Sequence, residues 1–322
     1  GYKLCMSYYN ETRQCYGQGN WNACNNLPGD ECTTTGGNTT FDLNAPNITL
    51  INPEQNKVYN KKSILFTVEL SEVSDLYYLD LINGRGRWTR VCRDCMSYSK
   101  QRSFKEGANN LTIIAEDVVG NYAYQNLSFF VDSKKPQIHK AEPRNGFTNG
   151  NFLIQYSEDN LAEIKIDYGN SITGMRQAVL QACELGRKKY CEISVDLGDY
   201  DGEDIEYWFT IKDIANNSVS SKKTKLIVDT TFPVVNELTY NVVGKNVYLK
   251  FNITEINFDS IEYIDNSDTN PKWKTLCSSL KNGICEKKIT LKILDSPAHE
   301  INFQIMDKAG NAVSETKTIE VV

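Results

Sequence analysis

Three short markers recur along this chain in a fixed order, and a period of this kind constrains a fold more tightly than composition does. The first marker is D-x-x-x-P, at Asp42 to Pro46, Asp132 to Pro136 and Asp229 to Pro233, spaced 90 and 97 residues apart. The second is an aspartate opening a turn that ends in asparagine: Asp117-Val-Val-Gly120-Asn121, Asp213-Ile-Ala-Asn216-Asn217 and Asp307-Lys-Ala-Gly310-Asn311, spaced 96 and 94. The third is a close pair of cysteines: Cys92 and Cys95, Cys183 and Cys191, Cys277 and Cys285. Trp88 and Trp273 stand four residues before the first cysteine of their pairs. A unit of this length is the size of one small β-sandwich.

Between the markers the hydrophobic period is two. Before each turn every second residue is apolar: Leu111, Ile113 and Ala115 before the first, Tyr207, Phe209 and Ile211 before the second, and Ile301, Phe303 and Ile305 before the third. Val247, Leu249, Phe251 and Ile253 follow the same pattern earlier in the third repeat. Alternation predicts strands with one face on a core. In the turn, Gly or Asn takes positive φ at low cost and the aspartate bonds its own backbone, so the segment reads as the hairpin between the last two strands. The proline of D-x-x-x-P fixes φ and starts the next first strand, which predicts short, stiff junctions. Met175 to Cys183 has a helical look and is expected to form a local helical turn.

The chain of 322 residues is 40% apolar, with 18 Tyr and 12 Phe, enough to build cores. The expected fold is all-β. Residues 1–44 form a small cysteine-rich, loop-rich segment, followed by immunoglobulin-like β-sandwich domains at 45–132, 133–229 and 230–322. The net charge of -6 argues against nucleic acid as a partner. No apolar run reaches the roughly 20 residues that span a bilayer, so direct membrane insertion is not expected. Gly1-Tyr2-Lys3 does not open a signal peptide, so Gly1 is expected to be a mature start or an artificial boundary.

Ten cysteines, each close in sequence to another, predict disulfides and an oxidising compartment. Only Cys92 and Cys95 have the C-x-x-C spacing of a zinc knuckle, and both histidines, His139 and His299, lie far from the cysteines. Met96 stands where a c-type haem motif needs histidine. In the repeats the pairs are expected to close hairpins. In the first segment Cys5 with Cys15 and Cys24 with Cys32 is the first expectation, among three possible connectivities.

A strand running into D-x-x-G-N, then a strand and a D-x-x-x-P linker, resembles the Ig-like repeats of archaeal and bacterial surface proteins. The cysteine pair before that strand is similar to what many archaeal versions carry. The resemblance spans residues 42 to 322 and implies a sandwich fold and a cell-surface setting. Such repeats occur in adhesins, surface layers, filament subunits and enzyme accessory modules, so it does not select a function.

Seven N-x-[ST] sequons, at Asn10, Asn38, Asn47, Asn110, Asn126, Asn216 and Asn252, are candidates for N-linked glycans. Asn110, Asn126 and Asn252 fall on the outward phase of their strands and Asn216 in a turn. The linker aspartates Asp42, Asp132 and Asp229, with Asp117, Asp213 and Asp307, form a candidate Ca²⁺ set. Each linker supplies one acid and no D-x-D cluster, which is thin for an ion that takes about six to eight oxygens. Asp196, Asp199, Asp201, Glu203 and Asp204, around a glycine turn, are the best local acidic cluster for such an ion and are expected first as a solvated acidic loop. No G-x-S-x-G, H-E-x-x-H or P-loop is present. His139 and His299 are expected to be strand or turn residues, and no catalytic residue, cofactor or metal is assigned.

The functional expectation is an extracellular, cell-surface structural protein, disulfide-stabilised and glycosylated. It would be a subunit of a filament, pilus-like thread or surface layer, joined to identical subunits or other surface proteins. A monomeric adhesin stalk with a binding tip and an accessory module of a secreted enzyme are the alternatives.

Overall fold

A computed structural model describes residues 42–84, 86–292 and 298–321. The chain divides into an N-terminal unit, Gly1–Asn44, and a second unit, Ala45–Val322. Cys5, Cys15, Cys24, Cys32, Asn10 and Asn38, and the cysteine-rich module expected around them, lie outside the described residues.

The second unit is three consecutive immunoglobulin-like β-sandwiches, each with its own core. The first comprises β1 (Ile48–Asn52), β2 (Val58–Tyr59), β3 (Ser63–Asp80), β4 (Trp88–Ser103), β5 (Gly107–Asp117) and β6 (Tyr122–Val131). The second comprises β7 (Gln137–Glu142), β8 (Phe147–Thr148), β9 (Asn151–Glu158), β10 (Leu161–Asn170), β11 (Gly174–Val179), β12 (Gly186–Ser194), β13 (Asp204–Asp213), β14 (Ser218–Ser220) and β15 (Thr224–Val228). The third comprises β16 (Val234–Val243), β17 (Asn246–Thr254), β18 (Phe258–Asp265), β19 (Lys274–Cys277), β20 (Ile284–Thr290), β21 (Ala298–Asp307) and β22 (Ala312–Glu320).

The second domain shows the plan most clearly. One sheet runs β12-β9-β7 and the other β11-β10-β13-β15-β8. Pairing is antiparallel except between β8 and β15, which run parallel. The third domain keeps the two sheets, β16-β17-β20 and β19-β18-β21-β22, but has no counterpart of β8 among its described residues. The first domain merges elements. β3 pairs β1 through Thr67–Leu70 and β5 through Ser74–Asp80, with register shifts between the two stretches, so one long strand serves both sheets. β4 follows β3 along most of its length and does the same.

The alternation expected from the sequence is what fills the cores. Ile205, Tyr207, Phe209 and Ile211 of β13 are buried, as are Ile301, Phe303 and Ile305 of β21 and Leu111, Ile113 and Ala115 of β5. Aromatic rings meet edge to face between the sheets, Phe104 with Phe129 at 4.9 Å and Phe251 with Phe303 at 5.2 Å. The Tyr207 hydroxyl, fully buried, donates to the Pro143 carbonyl at 2.7 Å, so its polar end is satisfied.

The stretch Met175 to Cys183 is not helical. Gly174 to Val179 forms β11, paired in continuous register with β10, and the ladder overrides the helical look of the sequence. Gly174 has φ +105°, a conformation that favours glycine and turns the chain back onto β10.

Candidate functional site

Two of the three recurring markers, the linker aspartates and the hairpin turns, converge at the two domain junctions. Asp132 directly follows β6 and Asp229 directly follows β15. Their amides donate backward, Asp132 to the Tyr59 carbonyl at 2.9 Å and Asp229 to the Thr148 carbonyl at 3.0 Å, extending the parallel pairs β2–β6 and β8–β15. The next residue is clasped by an acid of the same preceding domain. Ser133 donates its amide and hydroxyl to Glu106 at 2.7 and 2.8 Å, and Thr230 donates both to Asp201 at 2.7 and 2.9 Å.

The forward face of each linker belongs to the next domain. The Asp132 carbonyl accepts from Asn217 Nδ2 at 2.9 Å, and the Asp229 carbonyl from Asn311 Nδ2 at 2.8 Å. These asparagines end the D-x-x-[GN]-N turns. Each is held by its own aspartate, Asn217 N on Asp213 Oδ1 at 2.8 Å and Asn311 N on Asp307 Oδ1 at 2.9 Å. Asn216 and Gly310 carry the positive φ of the turn, 64° and 91°. The linker carboxylates accept from a second asparagine, Asp132 from Asn160 Nδ2 at 3.1 Å and Asp229 from Asn257 Nδ2 at 2.7 Å.

Asn160 and Asn257 belong to a fourth repeat that the sequence reading passed over: Glu158-Asp-Asn160 and Glu255-Ile-Asn257, 97 residues apart like the linker aspartates. Each glutamate accepts the amide of its asparagine, at 2.8 and 2.6 Å. The motif closes the turn after β9 and after β17. That turn is pinned to the hairpin by Ile214 N on the Asn160 carbonyl (3.0 Å) and Lys308 N on the Asn257 carbonyl (2.8 Å).

Three carboxylates therefore share each junction, Asp132, Glu158 and Asp213 at the first and Asp229, Glu255 and Asp307 at the second. At the second, one carboxylate oxygen from each lies within 4.8 Å of the others. Among the described residues no lysine or arginine makes a salt bridge to any of the six. Burial, with the charges of Asp132 and Asp213 adding to it, raises the Glu158 carboxyl above its usual value. Burial and the charges of Asp229 and Asp307 do the same to Glu255. Asp132 is raised by burial and by Asp213. Asp201, by contrast, is lowered by the amide and hydroxyl that Thr230 donates. Asp229, Glu255 and Asp307 form one set that could hold a divalent cation, since its donors are all oxygen. Their own asparagines already donate to Asp229 Oδ2 and Asp307 Oδ2. Each linker supplies one acid, as the sequence shows, and Glu158 and Glu255 add a third carboxylate that the candidate Ca²⁺ set did not include.

The acidic run in the second domain is not a simple solvated loop. Asp201 is the linker clasp, Asp199 pairs Arg176 at 2.5 Å, and Glu203 accepts from Asn170 and Thr173 at 2.7 and 2.9 Å. Asp196 accepts the Gly198 amide at 2.9 Å, and Asp204 opens β13. His139 is exposed in β7 and shares a bond with Ser157 at 2.7 Å. His299 lies within β21, fully buried, with Nδ1 2.7 Å from Asp265 Oδ2.

Disulfides join Cys92 to Cys95, Cys183 to Cys191 and Cys277 to Cys285. They do not close hairpins as expected. β11 pairs β10 while β12 pairs β9, and β19 pairs β18 while β20 pairs β17. The second and third disulfides thus tie a strand of one sheet to the following strand of the other, at the crossover between layers. The first spans the bulged middle of β4, where that strand passes from one sheet to the other. Among the sequons, Asn47, Asn126 and Asn216 are exposed, and Asn110 and Asn252 are half-buried.

No protein family model matches the chain, and no curated protein matches it. Solved structures similar to it include tandem domains. The chicken CNTN1 FN1–FN3 domains share 9% identity, covering 86% of this chain and 98% of theirs, with a TM-score of 0.38. Titin domains I67–I69 share 15%, covering 86% and 98%, with a TM-score of 0.37. A tetra-tandem repeat from the extending region of a large adhesion protein shares 16%, covering 86% and 74%, with a TM-score of 0.32.

Proposed function

We propose that this chain is an extracellular structural module and a subunit of a cell-surface assembly such as a filament, thread or surface layer, with no catalytic role. The observation that carries the reading is the two-sided capture of each linker. The preceding domain bonds its amide and clasps the next residue, and the following domain bonds its carbonyl and its carboxylate. Domains tied in this way present their surfaces at fixed separations, which a subunit needs if one contact is to repeat along an assembly. The three disulfides support an oxidising compartment. Exposed Asn47, Asn126 and Asn216 are the sequons best placed to carry N-glycans, and mass spectrometry of protein from its native source reads their occupancy. Electron microscopy of the purified chain over a concentration series tests the main reading. Ordered threads or sheets are expected, and monodisperse single particles at high concentration would refute it.

A further inference from the structure

The third domain differs from its neighbours along one edge. In the first domain β2 covers the end of β6, with Asn56 N donating to the Ser128 carbonyl and Phe130 N to the Lys57 carbonyl. In the second, β8 covers β15, with Ile227 N donating to the Gly146 carbonyl. The covering strand arises because the first strand ends early: β1 stops at Asn52 and β7 at Glu142, and the chain then crosses to the other sheet. In the third domain β16 runs on for ten residues beside β17, and nothing crosses over. Among the described residues β22, nine residues long, pairs with β21 alone and ends its sheet.

Which groups this edge offers follows from the register. Asp307 N donates to the Asn311 carbonyl, so the alternation of an antiparallel ladder turns the amides and carbonyls of Val313, Glu315, Lys317 and Ile319 toward β21. Those of Ala312, Ser314, Thr316, Thr318 and Glu320 face outward. The first domain has the same parity, where the outward residues Ser128 and Phe130 are the ones that bond the covering strand. The side chains of Glu315 and Lys317 share the core-side face with Ile319, lie 3.8 Å from one another and are about two-fifths exposed. Charges on the inner face of an edge strand ordinarily keep other strands away.

The order of residues in β22 suits one partner, its own copy. We propose that two copies of this chain join edge to edge through antiparallel pairing of β22 with β22, about a two-fold axis at Thr316. In that register Glu315 of one copy stands opposite Lys317 of the other, twice. Val313 stands opposite Ile319, Ser314 opposite Thr318, and Thr316 opposite itself. Opposite charges directly across a ladder attract, and β-branched pairs pack. The two inward charges that guard the edge against other strands are each met by their complement. Such an interface is isologous and closes on itself, so a longer assembly needs a second contact elsewhere. The inference rests on the self-assembly reading and names one of its contacts.

Sedimentation of the full chain over a concentration series tests it. A monomer–dimer equilibrium is expected. Glu315→Lys places like charges opposite one another and weakens dimerisation on the order of tenfold or more. Lys317→Glu does the same, while the double variant Glu315→Lys/Lys317→Glu restores opposite pairs and recovers the dimer, which excludes misfolding as the cause. Thr316→Cys cross-links the dimer on oxidation. A monomer at every concentration, or single reversals without effect, overturns the pairing. Threads that persist in the Glu315→Lys variant leave the assembly reading standing and remove this edge from it. A Thr316-cross-linked dimer that grows no further keeps the edge and removes the extended assembly.

Discussion

Asn311 is the residue on which the second junction turns. One side-chain amide donates to the Asp229 carbonyl, the Thr231 carbonyl and Asp307 Oδ2, and the residue is buried. Truncation leaves buried acceptors without donors, at about 1–3 kcal/mol for each group stranded. Asn311→Ala is expected to destabilise the third domain by about 2 kcal/mol or more, read as a shift in its denaturant midpoint with unchanged slope. Glu255 gives the complementary pH prediction. Its folded value is raised, so its contribution to stability is complete below the ordinary glutamate value and is lost as pH rises through the raised one. Thermal unfolding followed from mildly acidic to neutral pH should show the second junction weakening, and Glu255→Gln should flatten that dependence. A steeper dependence in the variant would contradict the assignment. Both residues illustrate the limit of sequence reading at this scale. The aspartates were legible because they repeat, and their repetition was enough to group Asp229 with Asp307, but not to place Asn311 on the linker carbonyl. Glu255 was not singled out, because only its spacing from Glu158 marks it in the sequence.

At the scale of elements, the strands before each D-x-x-[GN]-N turn could be read from alternation alone, because one face is buried and a slip of one residue would turn every apolar side chain outward. The turns were legible for a related reason, since few residues tolerate their positive φ. β11 was not: the stretch from Met175 to Cys183 looks helical in sequence, and only pairing with β10 decides against it. Nor does sequence show that β3 and β4 serve two sheets in the first domain while the other domains use separate strands. The cysteine pairs kept their phase through that merger, which is why they were found, although their place at the layer crossover was not. Crossover ties constrain the unfolded chain according to loop length. The eight-residue separations of Cys183–Cys191 and Cys277–Cys285 are worth about 2–3 kcal/mol each, and the three-residue separation of Cys92–Cys95 about 1.5 kcal/mol. Replacing both cysteines of a pair by serine in turn should lower domain stability in that order, measured by calorimetry.

For the molecule as a whole, the placement of β2 and β8 bears on how the chain carries tension. The entering strand and the leaving strand of the first two domains lie side by side and parallel, β2 on β6 and β8 on β15. Pulling the two chain ends apart loads those bonds together, in shear. The third domain lacks that pair among its described residues, and its ends are held through β16 on β17 and β21 on β22 instead. In a single-molecule pulling experiment with the disulfides reduced, the third domain should therefore yield first and at the lowest force. The first two would follow at higher force, making the third domain the extensible link of the series.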